Sequence, residues 1–257
     1  MAVALERPPL YGWRIHPNST AARSDSKHDN LTDIQARVVA ELIADEDAPF
    51  DWIPKHFVQH RLEARLKSDY RNPSISVVVP SRDHASDLRR CLWSVRELSG
   101  DADVEVIVVD HETTQSAART VMKEYADQIV RMDGPFNFSR LVNAGVAKAT
   151  RDFVVLLNND TEVLSPDWAA SLVGPLALHG VGVVGALLLD GNGMIQHTGI
   201  SLGMRGTADH AFRGGPRPLD NPPGLHHSIR EVSAVTAACL AVRTDLYKAL
   251  GGLDEFF

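Results

Sequence analysis

The sequence has little cysteine, no long apolar run and no excess of positive charge. Its two cysteines, Cys91 and Cys239, lie in apolar surroundings, which favours buried thiols in a reducing compartment over a disulfide. No apolar run approaches the length of a membrane span, and the N-terminus lacks the order of basic, apolar and small residues found in a signal peptide. A formal net charge of −7 argues against a nucleic-acid partner, which would need a basic face. We therefore expect a soluble, cytoplasmic chain without a transmembrane segment, with peripheral association at the inner face of a membrane left open.

Two nucleotide-binding signatures are also missing. No Gly-x-Gly-x-x-Gly follows the first predicted strand of the main domain, and no Walker lysine motif occurs. These absences disfavour a dinucleotide-binding domain and a P-loop domain. The composition that remains is ordinary for a globular protein, with 44% hydrophobic and 23% charged residues, and 257 residues can bury a sizeable core.

An uninterrupted apolar run, residues 153–157, is followed directly by Asn158, Asn159 and Asp160. Such a run predicts a strand buried on both faces, as in a parallel sheet. Ligands of open α/β sheets bind at the carboxyl ends of the strands, so these polar side chains indicate a site. Asp160 offers oxygen ligands for Mg²⁺ or Mn²⁺, and the amides can bond a sugar or a phosphate. The alternative is a polar turn that leads to the helix after Pro166.

After residue 73, apolar runs typical of strands alternate with segments whose apolar residues have the spacing of a helix. Strands are predicted over 75–80, 104–110, 128–132 and from Phe153, with helices between them over 87–98, 114–125 and 138–149. This order predicts an α/β architecture, a mostly parallel twisted sheet flanked by helices. Later elements are predicted as a helix over 166–178, a strand over 181–189, a hairpin to residue 202, a long loop over 203–230, a strand over 232–242 and a short helix from Thr244.

Residues 1–73 differ in sequence pattern from the rest of the chain and are predicted to form a helical and irregular N-terminal extension. Helical spacing occurs over 31–44 and again over 57–66. Asn72-Pro73 marks the boundary, so the main domain is predicted to cover residues 74–257.

Three carboxylates, Asp83, Asp110 and Asp160, lie at or just past the ends of three predicted strands. Adjacent parallel strands are about 4.8 Å apart, so side chains at their ends can converge on one ligand. A single acid at such a place is usually a turn residue, but three of them favour a ligand site. A metal-bridged diphosphate is a natural ligand for one central acid with amides beside it.

Several segments carry a resemblance to a known family. They are Ser76-Val-Val-Val-Pro-Ser-Arg-Asp, Val106-Ile-Val-Val-Asp, Asn137-Phe-Ser-Arg-Leu-Val-Asn-Ala-Gly, Leu156-Leu-Asn-Asn-Asp-Thr-Glu, Gln196-His-Thr-Gly, His210-Ala-Phe-Arg-Gly, Val235-Thr-Ala-Ala-Cys-Leu-Ala-Val-Arg and Gly251-Gly-Leu-Asp-Glu. In this order and spacing the chain from about Ser74 resembles the family 2 glycosyltransferases of the rhamnosyltransferase and O-antigen transferase kind. The resemblance implies the GT-A fold, that of nucleotide-diphospho-sugar transferases, and an inverting reaction.

The resemblance also implies roles for particular side chains. Ser81, Asp83 and Asp110 would face the nucleoside of a nucleotide sugar. Arg140 and Asn143 would lie near the diphosphate or the sugar.

The segment Asn158-Asn159-Asp160 would take the place of the family's Asp-x-Asp motif, with Asp160 as the ligand of Mg²⁺ or Mn²⁺. The chain departs from the family pattern here, because Asn158 replaces the first acid and leaves one carboxylate to hold the metal. His111 stands where many members have a second acid or an amide, which blurs the choice of base.

The general base for the acceptor is expected in an acidic pair beyond Phe257, so the sequence is interpreted as truncated at its C-terminus. Asp254 and Glu255 are the nearest acids that remain, although a turn after a helix explains them well. Histidines of the hairpin and long loop are expected to line the acceptor side, and their spacing does not indicate a zinc site.

The predicted function is transfer of a sugar from a UDP- or dTDP-sugar to a hydroxyl of a glycan or a lipid-linked glycan. The alternative is a non-catalytic fragment that binds a nucleotide sugar, since the segment bearing the base is absent. A nucleotidyltransferase is disfavoured, because no glycine-rich basic loop follows the first strand of the main domain.

Overall fold

The computed structural model of the chain describes residues 34, 37–38, 50–54, 62–67, 72–216 and 229–256. Ile34, Arg37 and Val38 are helical, as predicted for their segment, and the other residues of the helix predicted over 31–44 lie outside the described part. The irregular arm before it, residues 57–61 and 217–228, and Phe257 also lie outside. No helix in the described part is long and apolar enough to cross a membrane.

The chain divides into two compact units. One comprises residues 1–44 and 52–63, and the other comprises residues 45–51 and 64–257. The domain boundary at residue 73 stays a prediction. The candidate site and both apolar cores described below belong to the second unit.

The helix predicted over 57–66 is wrong for its described residues. Leu62–Leu66 is a strand, β2, which forms a separate two-stranded sheet with β1, Phe50–Pro54. Leu62, Ala64 and Leu66 alternate with charged residues, which is the period of a strand, and pairing with β1 satisfies its backbone.

The remaining described strands follow in chain order. They are β3 (Ser74–Ser81), β4 (Asp103–His111), β5 (Gln128–Met132), β6 (Phe153–Leu157), β7 (Val183–Gly185), β8 (Leu188–Leu189), β9 (Ile195–His197), β10 (Ile200–Leu202), β11 (Ala208–His210) and β12 (Cys239–Arg243). The main sheet has the order β5-β4-β3-β6-β12-β7. Strands β3 to β6 are parallel, and β12 is antiparallel to both of its neighbours. The prediction of a mostly parallel sheet is confirmed.

The described α-helices are α1 (Ala85–Glu97), α2 (Ser116–Tyr125), α3 (Phe138–Val146), α4 (Trp168–Val173) and α5 (Thr244–Ala249). The helix predicted over 166–178 is shorter than expected, since α4 gives way to a 3₁₀ turn at Gly174–Ala177. Pro175 explains this change, because its ring lacks an N–H group and clashes with the preceding helical turn.

Both faces of the main sheet are covered by helices, and β3 shows how. Its residues Ile75, Val77 and Val79 belong to one apolar cluster together with the buried residues of α1 and α4. Val78 points to the other face and belongs to a second cluster with residues of α3 and α5. Because successive strand residues face opposite sides, a strand buried on both sides reads as a continuous apolar run.

The second half of the chain departs from the predicted elements in three places. The strand predicted over 181–189 is divided into β7, which joins the main sheet, and β8, which forms the predicted hairpin with β9. Part of the predicted long loop is the strand β11, paired with β10. The strand predicted from residue 232 starts at Cys239, because its pairing partner β6 ends at Leu157, directly opposite.

Candidate functional site

Strands β3 and β4 end side by side at one edge of the main sheet. Ser81 and Asp110 lie opposite each other in the parallel register, and both are buried. The Thr113 N–H donates to Asp110 Oδ1 over 3.0 Å, which fixes the carboxylate against the following loop. These two residues meet because parallel strands of similar length end at the same edge of a sheet.

A cavity of about 270 Å³ opens beside Asp110. It is lined by Asp110, Glu112, Thr113, Arg119, Arg131 and Asp133. Three carboxylates and two guanidinium groups give this lining no positive excess, so it suits a neutral group with several donors and acceptors better than a phosphate. Arg119 is fixed there by donating to the Thr113 carbonyl. Neither Glu112 nor the two arginines was predicted, since their roles depend on the path of two loops.

Asp83 is not itself among the residues that line the cavity. Its Oδ1 accepts the N–H groups of Thr114 at 2.7 Å and Gln115 at 2.8 Å, and the Thr114 hydroxyl adds a longer bond. The Gln115 N–H is the largest cause that lowers the pKa of this exposed carboxyl, and the Thr114 N–H adds to it. Asp83 therefore joins the loop after β3 to the loop after β4.

His111 is buried at the end of β4, and its side chain contacts the loop after β5. Its Nε2 lies 2.8 Å from the Gly134 carbonyl oxygen, so this nitrogen carries the proton and donates. The Glu112 carboxylate accepts the Gly134 N–H over 3.1 Å. The ring also packs against Phe136 with 5.8 Å between the centroids. These contacts hold the loop that forms one wall of the cavity.

Arg140, on α3, lies beneath the same loop. Its guanidinium donates to the carbonyls of Asp133 at 2.8 Å and Pro135 at 2.9 Å. The Nε atom is buried without a hydrogen-bond partner among the described residues. Asn137 caps α3 by accepting the Arg140 N–H, which explains why the helix begins at Phe138.

Asn143 is fully used in holding the segment that follows α5. Its Oδ1 accepts the Tyr247 hydroxyl at 2.6 Å and the Leu253 N–H at 2.9 Å, while its Nδ2 donates to the Leu253 carbonyl and the Glu255 carboxylate. Gly252 has a φ of +83°, and a Cβ there would lie 2.5 Å from Asn143 Oδ1. Asp254, predicted as a weak candidate for the base, is exposed and accepts the Phe256 N–H.

The Asn158–Asp160 turn adjoins the strand ends of β3 and β4. Asn159 donates to the hydroxyl of buried Ser81 over 3.2 Å, and the Asn158 N–H donates to the Ala238 carbonyl over 3.0 Å. Asp160 is exposed. Within the described residues, His, Cys, Asp and Glu side chains do not assemble in groups of three or more that could hold a metal ion. A metal here would therefore depend on Asp160 and on oxygen atoms of a bound substrate.

Cys91 and Cys239 are both buried near this turn, as predicted for reduced thiols. Burial raises the pKa of each thiol to about 12. Both therefore remain protonated at neutral pH, and thiolate chemistry at the turn is excluded for these groups.

A pair of histidines joins the β8–β9 sheet to the β10–β11 sheet. Buried His197, on β9, and His210, on β11, approach to 2.9 Å between their Nδ1 atoms. His197 Nε2 accepts the N–H groups of Gly199 and Thr236, so its Nδ1 carries the proton and donates to His210. Burial, with help from His210 and Arg230, lowers the pKa of His197 to about 4. The sequence placed these histidines in a hairpin and a loop but gave no sign of their pairing.

A mostly parallel sheet with helices on both faces, and with polar side chains gathered at the carboxyl ends of β3, β4 and β6, defines the GT-A class of nucleotide-sugar transferases. The sequence model of Glycosyl transferase family 2 matches residues 76–245. The chain belongs to this family, and the predicted family and fold are confirmed.

Two curated relatives align with almost the whole chain. The uncharacterized protein y4gI of Sinorhizobium fredii is 32% identical over 261 residues, covering 96% of this chain and 27% of the relative. The O-antigen biosynthesis protein RfbC of Myxococcus xanthus is 30% identical over 253 residues, covering 97% of this chain and 20% of the relative. The chain therefore spans less than a third of the length of either relative.

The fold is also similar to a solved structure. The mannosyltransferase PcManGT from Pyrobaculum calidifontis, solved in complex with GDP-Man and Mn²⁺, superposes with a TM-score of 0.51. The alignment covers 90% of this chain and 57% of the other, at 16% identity. This likeness concerns the fold.

Proposed function

We propose that the chain is a glycosyltransferase domain that moves a sugar from a nucleotide-sugar donor to a hydroxyl of a glycan or a lipid-linked glycan. One observation carries the proposal. Ser81 lies opposite Asp110 in the sheet and also accepts the 3.2 Å hydrogen bond from Asn159, so the cavity beside Asp110 and the turn ending at Asp160 adjoin each other. A nucleoside can occupy the cavity while its diphosphate reaches the turn.

The donor in this proposal is a UDP- or dTDP-sugar. Uracil and thymine present one N–H donor between two carbonyl acceptors. Asp110 can accept the N–H, and Arg119 and Arg131 line the same cavity with donors for the carbonyls. The balance of charge in the cavity also favours a neutral base over a phosphate.

Asp160 would hold the divalent metal, Mg²⁺ or Mn²⁺, together with the diphosphate. The fit is reasonable, because Mg²⁺ is usually bound by one or two carboxylates plus substrate phosphates, and Asp160 is one exposed carboxylate. When bound, the metal supplies positive charge to the leaving diphosphate. Asn158 and Asn159 orient the turn and can bond the sugar or a phosphate. Arg140 and Asn143, expected near the diphosphate or the sugar, would act through the two loops that they hold.

The reaction in this proposal is a direct displacement with inversion at the sugar carbon. A base removes the proton of the acceptor hydroxyl while the C–O bond to the diphosphate breaks. Asp254 is an exposed carboxylate whose backbone neighbours are held by Asn143, so it is a weak candidate for this base.

Calorimetric titration tests the part of this proposal that concerns binding of the nucleotide-sugar donor. UDP, dTDP and GDP are titrated into the protein with and without Mn²⁺, and we expect UDP or dTDP to bind best and Mn²⁺ to strengthen the binding. In D160A the nucleotide should still bind, but Mn²⁺ should no longer help. In D110A the affinity should fall about tenfold or more with and without metal, because a buried charged acceptor is lost.

The exposed acid Glu97 provides a matched control, since E97A removes a carboxylate far along α1 from the strand ends. Tight Mn²⁺ binding without nucleotide, or equal nucleotide binding by D110A and the wild type, would contradict the proposed site. Donor binding without sugar transfer to any glycan acceptor would favour the non-catalytic alternative.

A further inference from the structure

We propose that Asp83 is a positioning residue, which fixes the loop after β4 so that Thr113, Asp110 and Arg119 present one arrangement to the nucleoside. This inference rests on the proposed function, because it assigns how the nucleoside side of that site is held. It differs from the expectation that Asp83 itself faces the nucleoside.

The bonding of the Asp83 carboxylate is directed at the protein backbone. Oδ1 accepts two consecutive N–H groups, from Thr114 at 2.7 Å and from Gln115 at 2.8 Å. The Thr114 hydroxyl donates to both carboxylate oxygens at 3.2–3.3 Å. Asp83 is not among the residues that line the cavity. Its strongest contacts therefore lie on the loop behind the cavity wall.

A continuous chain of hydrogen bonds connects Asp83 with the cavity. The Asp83 N–H donates to Thr113 Oγ1 over 3.3 Å, and the Thr113 N–H donates to Asp110 Oδ1 over 3.0 Å. The Thr113 carbonyl accepts from the Arg119 guanidinium. Thr113 is buried, and all of its backbone polar atoms are used in these bonds. Displacing the loop at Thr114 and Gln115 would move the Asp110 and Arg119 partners together.

The backbone on both sides of this contact is held in an unfavourable conformation. Asp83, His84 and Glu112 have φ values of +57°, +50° and +55°, in the left-handed region that non-glycine residues rarely occupy. Such conformations persist only where the surrounding contacts fix them. Here the hydrogen bonds between the loop after β3 and the loop after β4 fix these conformations.

Substituting asparagine for Asp83 distinguishes a positioning role from direct contact with the ligand. In D83N the amide oxygen can still accept the Thr114 and Gln115 N–H groups, whereas in D83A no acceptor remains. A positioning role therefore predicts that D83N is close to the wild type and D83A is not. A ligand contact that depends on the negative charge of Asp83 would be lost in both variants.

Gln115 offers an independent test that leaves Asp83 unchanged. Its φ of −71° is compatible with proline, so Q115P removes one of the two N–H donors while keeping the backbone direction. S116P is the matched control, because Ser116 is the exposed first residue of α2, where proline is favoured. Gln115, which precedes it, has a ψ of 120°, which proline accepts in its neighbour.

The experiment measures the dissociation constant of whichever of UDP, dTDP and GDP the wild type binds most tightly with Mn²⁺, and of the corresponding nucleoside monophosphate without metal. We expect D83A to weaken both by about tenfold, the effect of losing one or two hydrogen bonds to a charged group. We expect D83N to stay within about threefold, Q115P to lose about fivefold, and S116P to match the wild type. A purely structural role would lower the melting temperature without this equal effect on both ligands.

Equal losses in D83N and D83A would overturn the inference, and so would wild-type affinity in D83A. If Q115P does not fold, the comparison of D83A with D83N alone decides. A wild type that binds none of the nucleotides would overturn the proposed function and this inference together. If the wild type binds nucleotide and D83A binds it equally tightly, only the inference about Asp83 is overturned.

Discussion

Glu105 is a buried carboxylate at the amino end of β4, on the opposite edge of the sheet from the candidate site. Its Oε2 accepts the Ser76 hydroxyl at 2.6 Å and both the N–H and hydroxyl of Thr150 at 3.1 Å, and its Oε1 accepts from Gln128. Burial alone would raise the pKa of Glu105, but the bonds from Ser76, Thr150 and Gln128 outweigh burial and lower it below 4.5. This carboxylate joins β3, β4, β5 and the turn before β6.

We expect E105A to lower the free energy of unfolding by about 2–3 kcal/mol, because the buried Ser76 hydroxyl and the donors of Thr150 and Gln128 lose their charged acceptor. The sign of the pH effect follows from the lowered pKa. The stabilisation is present above pH 4.5 and is lost as the pH falls through the lower pKa of the folded protein. Urea unfolding at pH 7 and at pH 4 measures both effects.

The variant E97A serves as control, since Glu97 is an exposed carboxylate on α1. Its unfolding free energy should stay within about 0.5 kcal/mol of the wild type at both pH values. An E105A variant as stable as E97A would show that the Glu105 network contributes nothing to folding.

At the scale of elements, α3 approaches the sheet closely at one residue. A Cβ at Gly145 would meet Val78 Cγ1 and would lie 2.7 Å from Val109 Cγ2. This glycine allows α3 to pack directly on β3 and β4, so Asn143 and Arg140 take up their places next to the strand ends. Glycine in the middle of a helix costs helix stability, and here the close packing offsets that cost.

We therefore expect G145A to destabilise the protein by about 1–3 kcal/mol, although alanine favours the helix, because the added methyl group overpacks the core. Thermal unfolding measures the effect. Gly191 is the matched control, since its position has open space around a Cβ and no positive φ. G191A should leave the melting temperature unchanged, and equal melting temperatures for the two variants would contradict the packing explanation.

The His197–His210 contact joins β9 and β11. A buried histidine with a pKa lowered to about 4 stays neutral in the folded protein, whereas in the unfolded chain it titrates near 6.5. Below pH 6.5 the unfolded chain therefore binds more protons, so this histidine costs stability as the pH falls from 6.5 towards 4. His210 and Arg230 face the ring and oppose its protonation.

Melting temperatures recorded between pH 7.5 and pH 4.5 test this prediction. The wild type should lose stability on acidification, and H197Q should be less stable at pH 7.5 but should depend less on pH over this range. H179Q removes an exposed histidine and should keep the wild-type pH dependence. An H197Q curve parallel to that of the wild type would show that another group sets the pH dependence.

At the scale of the whole molecule, Asn143 joins parts of the chain that are about 110 residues apart. It bonds Tyr247, Leu253 and Glu255 from α3, and Asn137 adds a bond to the Glu255 carbonyl. The segment after α5 is thereby placed beside the helix that supports the strand ends. Asp254 therefore lies on a segment that the side chains of Asn143 and Asn137 hold against α3.

We expect N143A to lower the free energy of unfolding by about 2–4 kcal/mol, since the Tyr247 hydroxyl and the Leu253 backbone lose their partners. Hydrogen exchange should also increase at residues 251–256 more than in β3 and β4. The exposed Asn192, in the turn after β8, is the control, and N192A should change neither quantity. Unchanged exchange at residues 251–256 in N143A would remove this role of Asn143.

The sequence alone is sufficient to predict the parallel strands of the main sheet and the edge at which the candidate site lies. The runs at β3, β4 and β6 are buried on both faces, and apart from Ser76 and Glu105 their residues over 75–79, 104–109 and 153–157 are apolar. This pattern is therefore visible in the sequence alone. Parallel crossovers then bring Ser81, Asp110 and Asp160 to one edge without further information. The helix predicted at Leu62–Leu66 was wrong, because five residues with two leucines four apart satisfy both periods and only the pairing with β1 selects the strand.

Only the tertiary structure decided how the polar side chains are used. Asp83, Arg140 and Asn143 were expected to face or lie near the nucleotide sugar, and each bonds backbone groups of the protein. Asp83 and Asn143 bond segments that are distant in sequence, whereas Arg140 bonds the loop just before its own helix. The sequence contains no record of which distant segments meet. For the same reason, the sequence did not predict the His197–His210 pair or the arginines of the cavity. Apolar burial leaves a periodic pattern along the chain, whereas a hydrogen bond between distant loops depends on the path of both, and that path exists only in the folded protein.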